Sequence, residues 1–238
     1  SKVSGTFFIS DLHLDPSRPR VSAGLATFLR AHYGCERLYI LGDLFEAWVG
    51  DDDDSPLALA TAEMLRNFSA AGPELHIMVG NRDFLLGETF CGAVSASLLP
   101  DPTVIELYGT PVLLMHGDSL CTGDGEYQAF REMARDPDWQ AELLGRSLEE
   151  RRALASQLRT MSREANSNKA EDIMDVTPAE VVRVMREHRV TRLIHGHTHR
   201  PARHTELGGS RWVLGDWDKR GWTLEAKPGT LELSSFNI

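Results

Sequence analysis

The stretch Leu38-Tyr39-Ile40-Leu41-Gly42-Asp43 decides the fold class, because an apolar run typical of a buried strand ends at a Gly-Asp pair. Four other apolar runs, at 6–9, 75–79, 112–115 and 192–194, also end in polar residues. Helical stretches such as 21–32 and 58–71 alternate with the early runs. The pattern predicts an α/β fold.

The polar residues after these runs form five short clusters. They are Asp11-Leu12-His13, Gly42-Asp43, Gly80-Asn81, His116-Gly117-Asp118 and His195-Gly196-His197-Thr198-His199. In open α/β sheets, sites form outside the carboxyl ends of the strands, so we expect the five clusters to meet in one place.

The side chains of these clusters are carboxylates, imidazoles and an amide, with no thiolate. Such donors suit a hard or borderline divalent metal such as Mn, Fe or Zn. Seven candidate ligands are too many for one tetrahedral ion and suggest two metals: Asp11, His13, Asp43, Asn81, His116, His197 and His199. Paired metals clamp the attacking and leaving oxygens of a displacement at phosphorus and acidify the attacking water.

In their order, the five clusters resemble the signature of the calcineurin-like metallophosphoesterases. The resemblance implies a two-sheet sandwich flanked by helices. It also implies two divalent ions, with Mn²⁺ the expected metal. One ion would be held by Asp11, His13, Asp43 and His199, and the other by Asp43, Asn81, His116 and His197, so that Asp43 bridges the pair. Asp43 and His197 are therefore expected to act in catalysis.

Arg82 departs from the general pattern of that family, in which a histidine often follows the Gly-Asn pair. Arginine stays protonated and cannot act as a general acid, but its fork can contact phosphate oxygens. We expect Arg82 to act in catalysis on a leaving group that needs little protonation, such as the phosphate of a pyrophosphate.

Residues 42–52, 80–85 and 116–122 are more closely similar to the UDP-2,3-diacylglucosamine pyrophosphatase family of lipid A biosynthesis. That resemblance implies attack of water on the α-phosphorus of an acylated UDP-sugar, which gives UMP and 2,3-diacylglucosamine 1-phosphate. The positions that match substrate contacts in that family are Asn81, Arg82, Asp124, Ser162, Asn166, Lys169 and His197. We interpret Trp48 as a packing residue and 51–54 as a solvated acidic loop.

The chain divides into a core and an insertion. Residues 124–172 contain no strand-like run and repeat apolar residues at helical spacing, so we expect a helical cap inserted into a core formed by 1–123 and 173–238. Thr177-Pro178 predicts the start of a helix over 179–188. Apolar faces of the cap could shelter acyl chains, although packing on the core would explain most of them equally well.

Composition is that of an ordinary enzyme of 238 residues with a net charge of −10, which argues against nonspecific nucleic-acid binding. Three unpaired cysteines and a start without a secretory signal indicate a cytoplasmic protein. A lipid substrate implies peripheral contact with the cytoplasmic face of the bacterial inner membrane. The basic residues of the cap could contact phosphates or an anionic membrane, or form a solvated mixed-charge face; they are Arg151, Arg152, Arg159, Arg163 and Lys169.

Two alternatives remain open. The first is another metallophosphoesterase, acting on nucleotides as a phosphodiesterase or on phosphoproteins as a phosphatase. The second is a non-catalytic scaffold that has lost its metals, which would show broken ligand clusters, whereas every ligand position here is filled.

Overall fold

Both faces of the central strands are buried, as their nearly continuous apolar sequences require. The computed structural model describes residues 4–167, 169 and 174–238. Its first sheet has the strand order β11-β10-β1-β2-β3-β4, with β1 to β4 parallel to one another. The strands of this sheet are β1 (Thr6–Ile9), β2 (Arg37–Leu41), β3 (Glu74–Met78), β4 (Ala96–Leu99), β10 (Arg220–Lys227) and β11 (Thr230–Asn237).

The second sheet has the order β5-β6-β7-β9-β8, in which β6, β7 and β9 are parallel. Its strands are β5 (Thr103–Leu107), β6 (Thr110–Met115), β7 (Arg192–His195), β8 (Ala202–Glu206) and β9 (Gly209–Val213). The helices are α1 (Pro19–Ala31), α2 (Pro56–Ala70), α3 (Glu88–Ala93), α4 (Gly125–Ala134), α5 (Pro137–Leu144), α6 (Leu148–Ser167) and α7 (Pro178–Glu187).

The two sheets pack face to face with helices on their outer faces. Alternate residues of one strand therefore face different layers: Phe8 belongs to the apolar cluster between the sheets, which includes Leu114 and Ile194, whereas Phe7 packs with Phe28 of α1. The helix α7 covers the outer face of the second sheet. The predicted α/β sandwich flanked by helices is confirmed.

All five predicted strand runs are strands, and each ends within one residue of its expected position. The sequence also predicts strands at 212–214, 222–225 and 231–233, which overlap β9, β10 and β11. It does not predict β4, β5 or β8, because these strands are short and half-exposed, and β8 is mostly polar. The predicted helix start at Thr177-Pro178 is also found, but the Thr177 hydroxyl bonds Thr122 instead of capping α7.

The helices α4, α5 and α6 lie between β6 and β7 in the chain, within the range 124–172 where the sequence predicts a helical insertion. The Asp136 side chain caps α5 by accepting hydrogen bonds from the backbone N–H groups of Asp138 and Trp139. The expected C-terminal boundary of the insertion, at 172 and 173, lies outside the described residues. No helix in the described ranges is long and apolar enough to cross a bilayer.

The acidic segment 51–54 is more than the solvated loop that the sequence predicted. Asp51 accepts hydrogen bonds from the Trp48 indole and from the backbone N–H groups of Gly87 and Phe90. Asp52 forms a two-bond pair with Arg151 of α6, at 2.8 and 2.7 Å. The segment therefore joins the insertion to the core. The expected packing role of Trp48 fits its stacking on Phe45, with ring centroids 4.4 Å apart.

Candidate metal centre

The backbone of the candidate ligands is unusual. Left-handed φ values are rare for residues other than glycine and cost about 1–3 kcal/mol each where the surroundings impose them. Nine such residues occur in the described part of the chain, and five of them are candidate ligands: Asp11, His13, Asp43, His197 and His199. Such strain concentrates at functional sites.

The first group of donors comes from the loops after β1 and β7. The Nε2 atoms of His13 and His199 lie 3.2 Å apart, and His199 Nε2 is 3.4 Å from Asp11 Oδ1. Asp11 Oδ1 is buried and has no hydrogen-bond partner among the described atoms, whereas Asp11 Oδ2 accepts from Ser10 Oγ and from the His197 backbone N–H. One carboxylate oxygen thus fixes the side chain, and the other points at the two imidazoles.

The second group comes from the loops after β2, β3, β6 and β7. Asn81 Oδ1 is 2.9 Å from His116 Nε2 and 3.0 Å from His197 Nδ1. His116 donates its Nδ1–H to the backbone carbonyl of Leu41 at 2.7 Å, which leaves Nε2 free to bind a cation. This arrangement is typical of metal-binding histidines, whose second nitrogen donates to a carbonyl or carboxylate.

Asp43 faces both groups. Its Oδ2 is 3.3 Å from His116 Nε2 and 3.8 Å from His13 Nε2. Its Oδ1 accepts the backbone N–H of Arg82 at 2.8 Å, so the carboxylate cannot turn away. The structure therefore brings all seven sequence-predicted ligands together, with Asp43 where a bridging ligand is expected.

The glycines of the clusters allow this close approach. A Cβ on Gly80 would lie 2.1 Å from Asp43 Oδ1, and a Cβ on Gly42 would lie 2.3 Å from His116 Nδ1. Gly42 also has φ +94°, which favours glycine. No larger residue fits at either position without displacing a donor.

The carboxylates dominate the electrostatics of the site. Burial lowers the pKa of His116, but Asp43 and Asp11 outweigh burial and raise its pKa well above the usual range. The pKa values of His13 and His199 are also raised, because Asp11 outweighs the effect of burial. The same anionic field favours bound cations. Donor type, the unpartnered Asp11 oxygen and this field all fit divalent metals, and Asp11-His13-His199 and Asp43-His116-His197 are each grouped closely enough to hold one.

Two supporting acidic residues had no role in the sequence-based hypothesis. Asp83 is fully buried and accepts backbone N–H bonds from Gly80, Asp43 and Leu44, so it ties the loops after β2 and β3 together. Glu46 Oε2 lies 3.7 Å from His13 Nδ1, and Glu46 Oε1 lies 3.7 Å from Arg82 Nε. In the sequence, the only indication of a supporting role was the position of Asp83 directly after Gly80-Asn81-Arg82.

A cavity of about 540 Å³ extends from these donors into the space between the core and α4, α5 and α6. The Arg82 side chain lines it near the donors. Farther away the wall is largely apolar and is formed by Val49, Phe84, Leu85, Phe130, Leu143, Leu154, Leu158 and Met161.

The four expected substrate contacts of the insertion also line this cavity: Asp124, Ser162, Asn166 and Lys169. Lys169 Nζ donates to Asp124 Oδ2 at 2.8 Å, which joins the end of α6 to the residue that caps α4. The four side chains therefore line one space, although their exposure differs: Asp124 is buried, Ser162 and Lys169 are half-buried, and Asn166 is exposed.

Comparison with known proteins agrees with this geometry. The model of the calcineurin-like phosphoesterase family matches residues 6–201, and the chain therefore belongs to that family. Members of this family use divalent metals. A solved archaeal phosphodiesterase has the same fold, with a TM-score of 0.50, 12% identity and coverage of 98% of this chain and 99% of its own.

Much closer relatives place the chain within a narrower group. A UDP-2,3-diacylglucosamine hydrolase from Cellvibrio japonicus is 55% identical over 98% of this chain and 99% of its own length. A protein of the same name from Marinobacter nauticus is 56% identical over 93% of each chain. Within the calcineurin-like phosphoesterases, the chain belongs to the family of these hydrolases.

Proposed function

We propose that the chain hydrolyses the pyrophosphate bond of UDP-2,3-diacylglucosamine, with water attacking the α-phosphorus, to give UMP and 2,3-diacylglucosamine 1-phosphate in lipid A biosynthesis. The names of the close relatives support the substrate. The observation that carries the proposal is the single cavity that joins the candidate metal ligands to an apolar chamber.

The chamber suits a lipid better than a nucleotide or a phosphoprotein. Its volume of about 540 Å³ lies within the usual range for ligand pockets. Each buried methylene contributes about 0.8 kcal/mol to binding, so acyl chains in this chamber would supply a large part of the affinity. The metal end would then receive the pyrophosphate, because both ends open into the same space.

Asp11, His13, Asp43 and His199 would hold one divalent cation, and Asp43, Asn81, His116 and His197 the other. We propose Mn²⁺ as the metal. When bound, such a pair supplies Lewis acidity and an acidified water. The protein positions its donors by burying them at strand ends and by fixing the unused carboxylate and imidazole atoms with hydrogen bonds.

Arg82 and His197 would act directly on the substrate. Arg82 lines the cavity beside the donors, so its guanidinium fork can neutralise charge on the phosphate oxygens. Burial lowers the pKa of His197 to about 4, so its imidazole is neutral and can serve as a ligand near the substrate. Asn81 would contact both metal and substrate.

We propose the partition into a core of 1–123 and 173–238 and a cap of 124–172. In the cap, Asp124, Ser162, Asn166 and Lys169 would contact the glucosamine phosphate, since they line the polar part of the chamber. The Asp124–Lys169 pair would separate or shift to accommodate the sugar. A lipid substrate would place the protein at the cytoplasmic face of the inner membrane, in peripheral contact with it.

The test compares hydrolysis of the acylated UDP-sugar with hydrolysis of bis-p-nitrophenyl phosphate in the presence of Mn²⁺. Leu158→Glu places a charge in the apolar wall, and Leu59→Glu places it on α2, where the side chain is 60% exposed. We expect Leu158→Glu to raise KM for the acylated substrate while hydrolysis of the small diester is unchanged, and Leu59→Glu to behave as wild type.

Faster turnover of the small diester by wild type would favour the phosphodiesterase alternative. Purified protein that binds no metal and cleaves neither substrate would favour the scaffold.

A further inference from the structure

The loop Asp11-Leu12-His13 carries two candidate ligands in a strained backbone conformation, and its carbonyl groups need hydrogen-bond donors. Asp11 has φ +55° and His13 has φ +50°. Their N–H groups bond the carbonyls of Gly42 and Asp43, which fixes one edge of the loop to the end of β2. The loop carbonyls point the other way and need donors of their own.

Arg18, the residue before α1, supplies those donors. Its Nη1 donates to the carbonyls of Leu12 at 3.0 Å and His13 at 2.9 Å. Its Nη2 donates to the carbonyl of Trp217 at 2.5 Å. The backbone N–H of Trp217 in turn donates to the carbonyl of Asp11 at 3.0 Å. One guanidinium thus joins the first ligand loop to the segment that follows β9.

The segment after β9 also approaches His199, the third donor of the group formed with Asp11 and His13. Asp216, next to Trp217, has its Oδ2 3.8 Å from His199 Nδ1. Arg18 therefore fixes both the loop that carries Asp11 and His13 and the segment that faces His199. The second metal group, at Asn81 and His116, receives no hydrogen bond from Arg18.

We propose that Arg18 is a positioning residue for one of the two cation sites, the one formed by Asp11, His13 and His199. By donating to the carbonyls of Leu12, His13 and Trp217 at once, it holds the left-handed backbone of the loop Asp11-Leu12-His13 against the segment that carries Asp216. Lysine cannot replace it, because an ammonium on a flexible stem lacks the planar fork that reaches carbonyls on two separate segments. The inference rests on the metal assignment of the proposed function but not on its substrate.

The experiment measures Mn²⁺ binding to metal-free protein by titration calorimetry, without substrate. His13→Ala and His116→Ala serve as references that show which of the two binding steps belongs to which site. Arg18→Ala and Arg18→Lys are the test variants. Arg20→Ala is the matched control, because Arg20 lies two residues farther along the chain, in α1, is exposed and donates to the distant carbonyl of Ile238.

We expect both Arg18 variants to weaken Mn²⁺ binding at the site that His13→Ala removes by roughly 10- to 100-fold, as for other residues that support metal ligands. In the Arg18 variants, Mn²⁺ binding at the site that His116→Ala removes should match wild type. In Arg20→Ala, Mn²⁺ binding at both sites should match wild type. Millimolar guanidinium, far below denaturing concentrations, should restore affinity in Arg18→Ala but not in Arg18→Lys, where the lysine stem fills the space. If Arg18→Ala does not fold, Arg18→Lys still tests the proposal through its Mn²⁺ affinity, because lysine retains the positive charge and most of the side-chain stem.

Wild-type affinity at both steps in Arg18→Lys would overturn the proposal, as would equal weakening of both steps. Wild-type protein that binds no Mn²⁺ would instead refute the metal assignment itself, so the two failures are distinguishable.

Discussion

Arg151→Ala should weaken the docking of the cap on the core without unfolding the core. The Arg151 side chain is 5% exposed and makes four hydrogen bonds. One stays within the insertion, to the carbonyl of Arg146. The other three cross to the core, where they reach the buried carbonyl of Val49 at 2.7 Å and both carboxylate oxygens of Asp52. The variant removes these three bonds together.

The two partners contribute unequally to the free energy of docking. The Val49 carbonyl would be left buried without a donor, which costs about 1–3 kcal/mol. The Asp52 side chain is 59% exposed and can be rehydrated, so its ion pair contributes about 0–1 kcal/mol. The sum is about 2 kcal/mol, and at 1.4 kcal/mol per factor of ten this corresponds to a roughly 30-fold shift toward the undocked cap.

Native-state amide hydrogen exchange measures that shift directly. In Arg151→Ala, amides of α6 should exchange roughly 30-fold faster, while those of β2 are unchanged. Arg146→Ala is the matched control, since its side chain is 49% exposed and its ion pair, with Glu142, stays within the insertion. Unchanged exchange in α6 would refute the reasoning, and equal acceleration in α6 and β2 would show that Arg151 stabilises the whole fold instead.

Four further predictions concern the site and the core. Asp43→Ala and His116→Ala should each abolish turnover, because each removes a donor of the second group, while circular dichroism shows a retained fold; activity in either purified variant would contradict the site assignment. Mn²⁺ affinity should fall as pH is lowered, because protons compete for the three histidines whose pKa values are raised, and the fall should begin above the free-histidine value of about 6.5, as titrations across pH will show. Arg82→His should lower the kcat for pyrophosphate cleavage, since a neutral imidazole cannot neutralise the phosphate; equal rates would leave Arg82 without that role. Trp48→Ala should lower the free energy of unfolding by about 3–5 kcal/mol, measured by urea denaturation, because it empties a packed aromatic site.

The meeting of the ligand clusters was predictable because the information is local. Each donor follows a strand that has a clear apolar signature, and parallel strands bring their carboxyl ends to one edge. The left-handed φ of residues such as Asp11 and His197 has no comparable signal. Neither residue type nor spacing distinguishes a strained aspartate from a relaxed one. The metal roles of these residues stay predictions.

The attachment of the cap was not predictable from the sequence. The pairs Arg151–Asp52 and Arg152–Asp53 join positions 99 residues apart, and opposite charges are so common on surfaces that the sequence offers many equivalent pairings. The arginines at 151 and 152 were therefore considered for phosphate or membrane contact. In the structure both pair with the core instead. Arg18 was missed for a similar reason, since a side chain that bonds backbone carbonyls has no periodic pattern.

The charge of the centre also explains how a chain with a net charge of −10 can attract an anionic substrate. Asp11 and Asp43 are the two carboxylates among the seven proposed ligands, and the other five donors are neutral when they bind metal. Two divalent cations would therefore leave the centre with a net charge of about +2, to which Arg82 adds one more. A pyrophosphate diester carries two negative charges. The local field would favour its phosphates at the metal end of the cavity, while the apolar wall accepts the acyl chains. A polyanion without apolar groups would gain only the electrostatic attraction at the metal end and nothing from the apolar wall. The cavity therefore favours a lipid-linked pyrophosphate over a nucleic acid.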